Sequence, residues 1–208
     1  TTVSGNSVDV SQSTGTSGTY LYTLVSVKDA STTTCSNDQS GTATVTVNPL
    51  PTATIAGTTA VCQNATAPNV TFTGANGTAP YTFTYTINGG SSQTVTTVSG
   101  NSVDVSQSTG TSGTYTYALV SVKDASSTTC SNAQSGTATI TVNPLPTATI
   151  GGTVSVCQNA TAPNVTFTGA GGTAPYTFTY TINGGSTQTV TTVSGNSVDV
   201  SQSTGTSG

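Results

Sequence analysis

Few residues in this chain can do chemistry. It has 208 residues, with four cysteines, six aspartates and two lysines, and no His, Glu, Arg, Met or Trp. Catalysis needs a nucleophile, a base or a metal gathered in one cleft. The complete copy of the internal repeat carries two carboxylates, Asp104 and Asp124, and nothing in their spacing sets them up as an acid–base pair. Two cysteines per repeat, without CxxC spacing and without histidine, give too few ligands for zinc. Two aspartates offer too few oxygens for calcium. No catalytic residue, cofactor or metal is expected, and the chain does not read as an enzyme. Lys123 offers one further reaction, an isopeptide cross-link to an asparagine. The plainer reading of Lys123–Asp124 is a solvated pair in a turn.

The cysteines are Cys35, Cys62, Cys130 and Cys157. An even number per repeat suits disulfides in an oxidising compartment, where exposed free thiols are a liability. Two pairings are open: Cys62–Cys130 within one repeat, or Cys35–Cys62 and Cys130–Cys157 across a joint. The strand after Cys130 carries the chain roughly 30 Å before the next repeat, at about 3.3 Å per residue. Bonded cysteines need Cα atoms about 5–6 Å apart. The expectation is therefore Cys62–Cys130, with the partners of Cys35 and Cys157 outside the chain. Such a bond would stabilise by roughly 4 kcal/mol in the chain-entropy picture. It requires Thr58–Asn64 to turn back, because the two loops otherwise lie toward opposite poles.

These residues are positioned by a repeat. TTVSGNSVDVSQSTGTSG begins at Thr1, Thr96 and Thr191, which sets a period of 95 residues. The two full periods differ at about ten positions. A unit of this size is one β-sandwich domain, not a solenoid turn. The expected organisation is residues 1–48 as the C-terminal part of a repeat, 49–143 as a complete repeat, and 144–208 as the N-terminal part of the next. The half-copies read as a window on a longer array. Assembly by strand sharing is the alternative, weakened because 191–208 repeats a strand already supplied.

Period-two patterning defines the strands of the complete copy. PTATIAG (51–57) follows a proline-stiffened joint. NVTFTG (69–74) puts Val70 and Phe72 on one face. PYTFTYTINGG (80–90) aligns Tyr81, Phe83, Tyr85 and Ile87, and Asn88-Gly89-Gly90 then makes a tight turn into QTVTTV (93–98). NSVDVSQ (101–107) turns Val103 and Val105 inward. TYTYALVSVKD (114–124) keeps Tyr115, Tyr117 and Leu119 in phase, then slips at Val120 and Val122, which predicts a bulge at 119–120. GTATITVN (136–143) ends with Ala138, Ile140 and Val142 inward. About seven strands with regular turn signals predict an all-β chain of tandem Ig-like sandwiches. GTSGTYTY resembles the approach to an Ig tyrosine corner, in which Tyr115, and its copy Tyr20, would bond back to the backbone.

Charged residues make up 4% of the chain and the net charge is −4. That field is too weak to recruit nucleic acid or an acidic membrane. No apolar run of about 18 residues is present, so no membrane insertion is expected in this segment. No signal peptide is visible, which is uninformative in a sequence that opens inside a repeat. Asn64-Ala-Thr, Asn69-Val-Thr and Asn76-Gly-Thr match the glycosylation pattern, which a Thr-rich chain meets by chance. The Thr-x-Thr rows offer hydroxyl arrays of the kind used in ice binding. The plainer reading is the wet face of strands, which Thr suits.

GGTAPYTFTYTINGG (171–185), SGTYTYALVSVKDASSTTCSN (112–132) and GTATITVNPLP (136–146) resemble the PKD-like and SprB-type repeats of very large Bacteroidetes surface proteins. The resemblance covers the whole repeat. It implies cell-surface filaments used in adhesion or gliding and exported by the type 9 pathway; no sorting domain is present in the sequence to check that route. The expected function is a semi-rigid extracellular spacer on the bacterial cell surface. Pro49, Pro51, Pro144 and Pro146 would stiffen the VNPLPTATI joints. The expected partners are neighbouring repeats of the same polypeptide and, alternatively, other filament chains; the ligand at the tip stays open. A glycan-binding module is the competing reading, and it would need aromatic residues in loops instead of strands.

Overall fold

The computed structural model describes residues 5–205. The first four residues of the 1–48 segment and the last three of the 144–208 segment lie outside the described residues. Every element is a strand, and no helix occurs among the described residues. In order they are β1 (Gly18–Thr23), β2 (Ser26–Lys28), β3 (Ser36–Asp38), β4 (Thr42–Val47), β5 (Thr52–Ala56), β6 (Thr59–Cys62), β7 (Asn69–Ala75), β8 (Thr82–Ile87) and β9 (Gln93–Thr96). They continue with β10 (Ser102–Ser106), β11 (Gly113–Lys123), β12 (Ser131–Ala133), β13 (Thr137–Asn143), β14 (Thr147–Gly151), β15 (Asn164–Ala170), β16 (Thr177–Tyr180), β17 (Gln188–Thr191) and β18 (Ser197–Ser201).

The chain forms two compact units, and their division runs through the 49–143 repeat. The first unit comprises residues up to Gly57, Asn69–Val105 and Thr116–Ala138. One of its sheets has the order β10-β7-β5, with β5 antiparallel to β7 and Ile55 opposite Phe72. In the other, β8 lies between β9 and β11, with β12 outside β11. Alternation aims one row of each sheet at the other. Phe72 stacks on Phe83 at 5.7 Å between ring centroids and tilts against Tyr85 at 4.9 Å. Tyr85 in turn stacks on Tyr117 at 5.9 Å. Val70, Phe72, Tyr81, Phe83, Tyr85, Tyr117, Leu119 and Val122 are all buried. This is a sandwich-like core built by the side chains that period two places inward.

The register shifts between Leu119 and Ser121, where the sequence predicts a bulge. Val120 is turned out and 42% exposed, while Val122 returns to the core at 0%. The Asn88–Gly89 turn has positive φ at both residues, 51° and 69°, as a tight hairpin turn requires. Two segments depart from expectation. QTVTTV pairs only through Thr96; Thr97 turns inward, its Oγ1 accepting the Tyr81 N–H at 2.9 Å, and Val98 is 99% exposed. The strand count of the complete copy is also higher than seven, because β6 and β12 form as well.

The second unit comprises Thr58–Pro68, Ser106–Tyr115 and the chain from Thr139 onward. Here β6 pairs parallel to β13, with Val61 opposite Val142 and Cys62 opposite Asn143. Sheet β14-β15-β18 faces the hairpin β16-β17. Phe167, Phe178 and Tyr176 fill the space between them, with Val165, Tyr180, Val190, Val198 and Val200 packed alongside. In the first unit, residues 18–47 form the pairs β1-β4 and β2-β3, whose apolar side chains stay largely exposed, Leu24 at 53% and Val27 at 56%.

Gly74 sits beneath the Tyr81 ring. A Cβ added there would lie 2.5 Å from the ring's Cγ, and Gly169 meets Tyr176 in the same way. Gly74→Ala should therefore destabilise the fold by about 1–3 kcal/mol, the usual result of overpacking. Val98→Ala, at a fully exposed position, should stay within about 0.5 kcal/mol. Urea unfolding of the two variants checks the contrast.

Candidate functional site

A buried polar cluster of the first unit surrounds Asp124, which follows β11. Asp124 is 4% exposed, so the expected solvated Lys123–Asp124 turn pair is corrected: the carboxylate faces inward. Its burial is tolerated because donors converge on it. Thr78 N–H donates to Oδ2 at 3.1 Å, and Ser126 donates to Oδ1 through its hydroxyl at 2.8 Å and its N–H at 3.3 Å. Burial alone would raise the Asp124 pKa. The Ser126 hydroxyl and the N–H groups of Thr78, Ser126 and Cys130 outweigh it and hold the carboxyl below its ordinary value.

Space for this carboxylate comes from Gly77. A Cβ there would approach Asp124 Oδ2 to 2.7 Å and Pro51 Cβ to 3.0 Å. The loop carrying Gly77 is braced by Tyr81, whose hydroxyl donates to the Gly77 carbonyl at 2.7 Å. The Asp124 cluster thus reaches the joint before β5. Pro51 is fully buried, and its carbonyl accepts from Asn132 Nδ2 at 3.0 Å. Ala53 N–H donates to Gln134 Oε1 at 3.1 Å. Asn48 Nδ2 donates to Thr128 Oγ1 at 3.0 Å and Ser127 Oγ at 3.4 Å. The Asn48–Ala53 connection is therefore pinned to the 124–134 turn region by side chains at both ends.

The predicted site residues fall unevenly on this cluster. Pro51 lies in it, whereas Pro49 is exposed. Pro144 and Pro146 are exposed as well, beside an open groove with Gly172, Pro175 and Tyr176. Tyr115 donates its hydroxyl to the Thr111 carbonyl at 3.0 Å, and Tyr20 does the same to Thr16 at 3.0 Å. Tyr81 and Tyr176 make the same four-residue back-bond, which the alternation pattern alone does not reveal.

All four thiols are free in this structure, and the expected Cys62–Cys130 bond is not formed in it. Cys62 is held beside Asn143 at the last register position of the parallel β6–β13 pair in the second unit. Cys130 belongs to the first unit, its thiol 3.2 Å from Thr128 Oγ1 and its carbonyl accepting from Asp124 N–H. Thr59–Cys62 runs as β6 along β13, and Gln63–Asn64 follow in a turn with positive φ at Asn64. Cys35, the copy of Cys130, is exposed, and contacts with the Thr33 and Ser31 hydroxyls draw its thiol below the ordinary value.

Among the described residues no group of three or more His, Cys, Asp or Glu could hold a metal ion. No helix among them is long and apolar enough to cross a membrane. Asp104 lies apart from Asp124 in function: it accepts from Thr71 Oγ1 at 2.6 Å and Asn69 Nδ2 at 3.1 Å on the wet face of the β7 sheet. Comparison with family models, curated proteins and solved structures gives no match to this chain. The arrangement ties the Asn48–Ala53 connection to residues 124–134 through side-chain amides, beside one buried carboxylate.

A carboxyl whose pKa is depressed by folding contributes stability above its unfolded value, about 3.9, and loses it as pH falls through the folded value. Stability should be level above about pH 5 and fall on acidification. Asp124→Asn should lower stability at neutral pH by about 1–3 kcal/mol and flatten the acid limb. Denaturant titrations between pH 2 and 7 measure both.

Proposed function

We propose that the chain is a structural segment of a long extracellular filament or stalk, of the kind that carries a bacterial surface adhesin in attachment or gliding. Each 95-residue copy acts as an Ig-like, PKD-like spacer. The observation that carries this reading is the pinned joint. A flexible linker would leave Asn48–Ala53 solvated, whereas here Pro51 is buried and amides of Asn48, Asn132 and Gln134 bind the connection to the following copy. Repetition with stiff joints sets length and spacing.

The strand arrangement supports the Ig-like assignment. In the first unit, sheet β10-β7-β5 packs its Phe72 row against the aromatic row of β8 and β11, as the two sheets of a sandwich do. Spending the aromatics on the core also fits a spacer better than a glycan binder. Phe72, Tyr81, Phe83, Tyr85 and Tyr117 are all buried. In this reading the partners are neighbouring repeats and other filament chains, and no reaction is catalysed.

Two measurements test the proposal. Electron microscopy of a longer array of this repeat should show single-file beads spaced about 40 Å, from strands of about ten residues plus a joint. Lateral bundles with a shorter rise would overturn the spacer reading. In the present chain, Asn48→Ala combined with Asn132→Ala should leave the circular dichroism spectrum intact. Hydrogen exchange at Ala53, whose N–H is bonded to Gln134, should accelerate by about tenfold or more, since three restraining bonds of the connection are lost. Unchanged exchange would show that the joint is not held by these amides.

A further inference from the structure

Three stretches of the complete copy match the Asn-x-Thr acceptor pattern for N-linked sugar: Asn64-Ala65-Thr66, Asn69-Val70-Thr71 and Asn76-Gly77-Thr78. A threonine-rich chain meets that pattern by chance, so the fold has to separate them. Transfer requires the asparagine amide and the threonine hydroxyl to reach a transferase together. In Asn69-Val70-Thr71 one carboxylate holds both groups. Asn69 Nδ2 donates to Asp104 at 3.1 Å, and Thr71 Oγ1 donates to it at 2.6 Å. Val70 between them is fully buried. In Asn76-Gly77-Thr78 the amide donates to Thr52 Oγ1 at 3.0 Å, the Thr78 N–H is bound to Asp124, and Gly77 is packed against Pro51.

Asn64-Ala65-Thr66 is the opposite case. All three residues are exposed in the turn after β6, and neither Asn64 nor Thr66 makes a side-chain hydrogen bond among the described residues. Backbone groups anchor this turn instead. Asn64 N–H donates to the Thr109 carbonyl at 3.0 Å, and the Ala65 carbonyl accepts from Thr109 Oγ1 at 2.6 Å. The following copy keeps the distinction. Asn159 is exposed, with φ of 61° against 65° at Asn64. Asn164 and Thr166 donate to Asp199 at 3.2 and 2.6 Å. The third stretch loses its asparagine there, since Gly171 stands in the place of Asn76.

We infer that Asn64, with its copy Asn159, is an attachment site for an N-linked glycan. The sugar donor is of the polyprenyl-diphosphate-linked oligosaccharide class. Asn64 Nδ2 attacks C1 of the sugar. The N–C1 bond forms, the C1–O bond to the diphosphate breaks, and Nδ2 gives up one proton. A bulky, hydrated sugar once per copy supplies solubility that a surface with 4% charged residues does not. The site presupposes export, as the spacer reading does, and transfer in vitro tests the acceptor apart from either.

The folded full chain is incubated with a purified single-subunit oligosaccharyltransferase and a polyprenyl-diphosphate-linked oligosaccharide, then mapped by peptide mass spectrometry. Sugar should appear on Asn64 and Asn159. Asn69, Asn76 and Asn164 should carry less by about tenfold or more, since each must first give up side-chain hydrogen bonds. Asn64→Asp and Thr66→Ala should each abolish transfer at residue 64, and Thr66→Ser should restore it. Circular dichroism should not change, because Asp tolerates the positive φ at 64 and Thr66 is exposed. Short synthetic peptides spanning Asn64, Asn69 and Asn76 should all be accepted, which assigns the choice to the fold. A folded chain without sugar on Asn64 overturns the inference and leaves the spacer role untouched. Comparable transfer to Asn69 or Asn76 overturns it too. So does a peptide series that already shows the preference of the folded chain, because the sequence and not the structure would then select the site.

Discussion

The pairing of β8 with β11 is the constraint on which the rest of the repeat depends. It places Phe83 and Tyr85 under Phe72 and adds Tyr117, Leu119 and Val122 to the core. Nearly the same sequence without that pairing behaves differently. β11 runs unbroken through its bulge from Gly113 to Lys123, whereas its copy divides into β1 and β2 around Leu24–Val25. β8 spans Thr82–Ile87, and its copy β16 stops at Tyr180. Residues 154–157, the copy of β6, form no strand, and Val154 and Val156 are 59% and 47% exposed. Local propensity is almost constant across these copies, so the differences report tertiary pairing.

The Asp124 cluster extends that constraint from the sheet to the joint. A buried carboxylate would ordinarily destabilise, yet here it takes donors from residues on both sides of the repeat and leaves none of its oxygens orphaned. Because Asp124 follows β11, the same carboxylate ties the pairing strand to the Gly77 loop. Because Gly77 abuts Pro51, the loop in turn fixes where the chain enters the repeat. The Asn48–Ala53 connection is therefore held by packing and side-chain bonds as well as by proline. Pro49 and Pro146 are prolines of the same motif and remain exposed.

Much of the fold was legible in the sequence wherever one face of a strand is buried. The Tyr81–Phe83–Tyr85 row, the Val70–Phe72 pair, the Asn88–Gly89 turn and the break at Val120 all follow from alternation. Features that depend on distant partners were not legible. β6 is a four-residue segment with no alternation of its own, and it forms by parallel pairing with β13. The same pairing holds Cys62 beside Asn143, a placement that cysteine count and loop length do not reveal. Asp124 reads as surface beside Lys123, and its burial comes from a donor at Thr78, 46 residues away. One internal signal was present: Asp29 recurs as Asp124, while Asp38 is replaced by Ala133.

A nearly uncharged repeat must keep its outer faces wet by other means, and threonine supplies them. Cross-strand hydroxyl pairs bridge Thr73 to Ser102 at 2.8 Å, Thr82 to Thr96 at 2.9 Å and Thr177 to Thr191 at 2.9 Å. These pairs stabilise the sheet without long side chains or screening charge. They also remove a means of discrimination, since edge charges are what natural sheets use to reject wrong neighbours. With two full periods differing at about ten positions, every C-terminal half fits every N-terminal half almost equally well. The features that keep this repeat nearly free of charge therefore also leave its strand edges without charged guards.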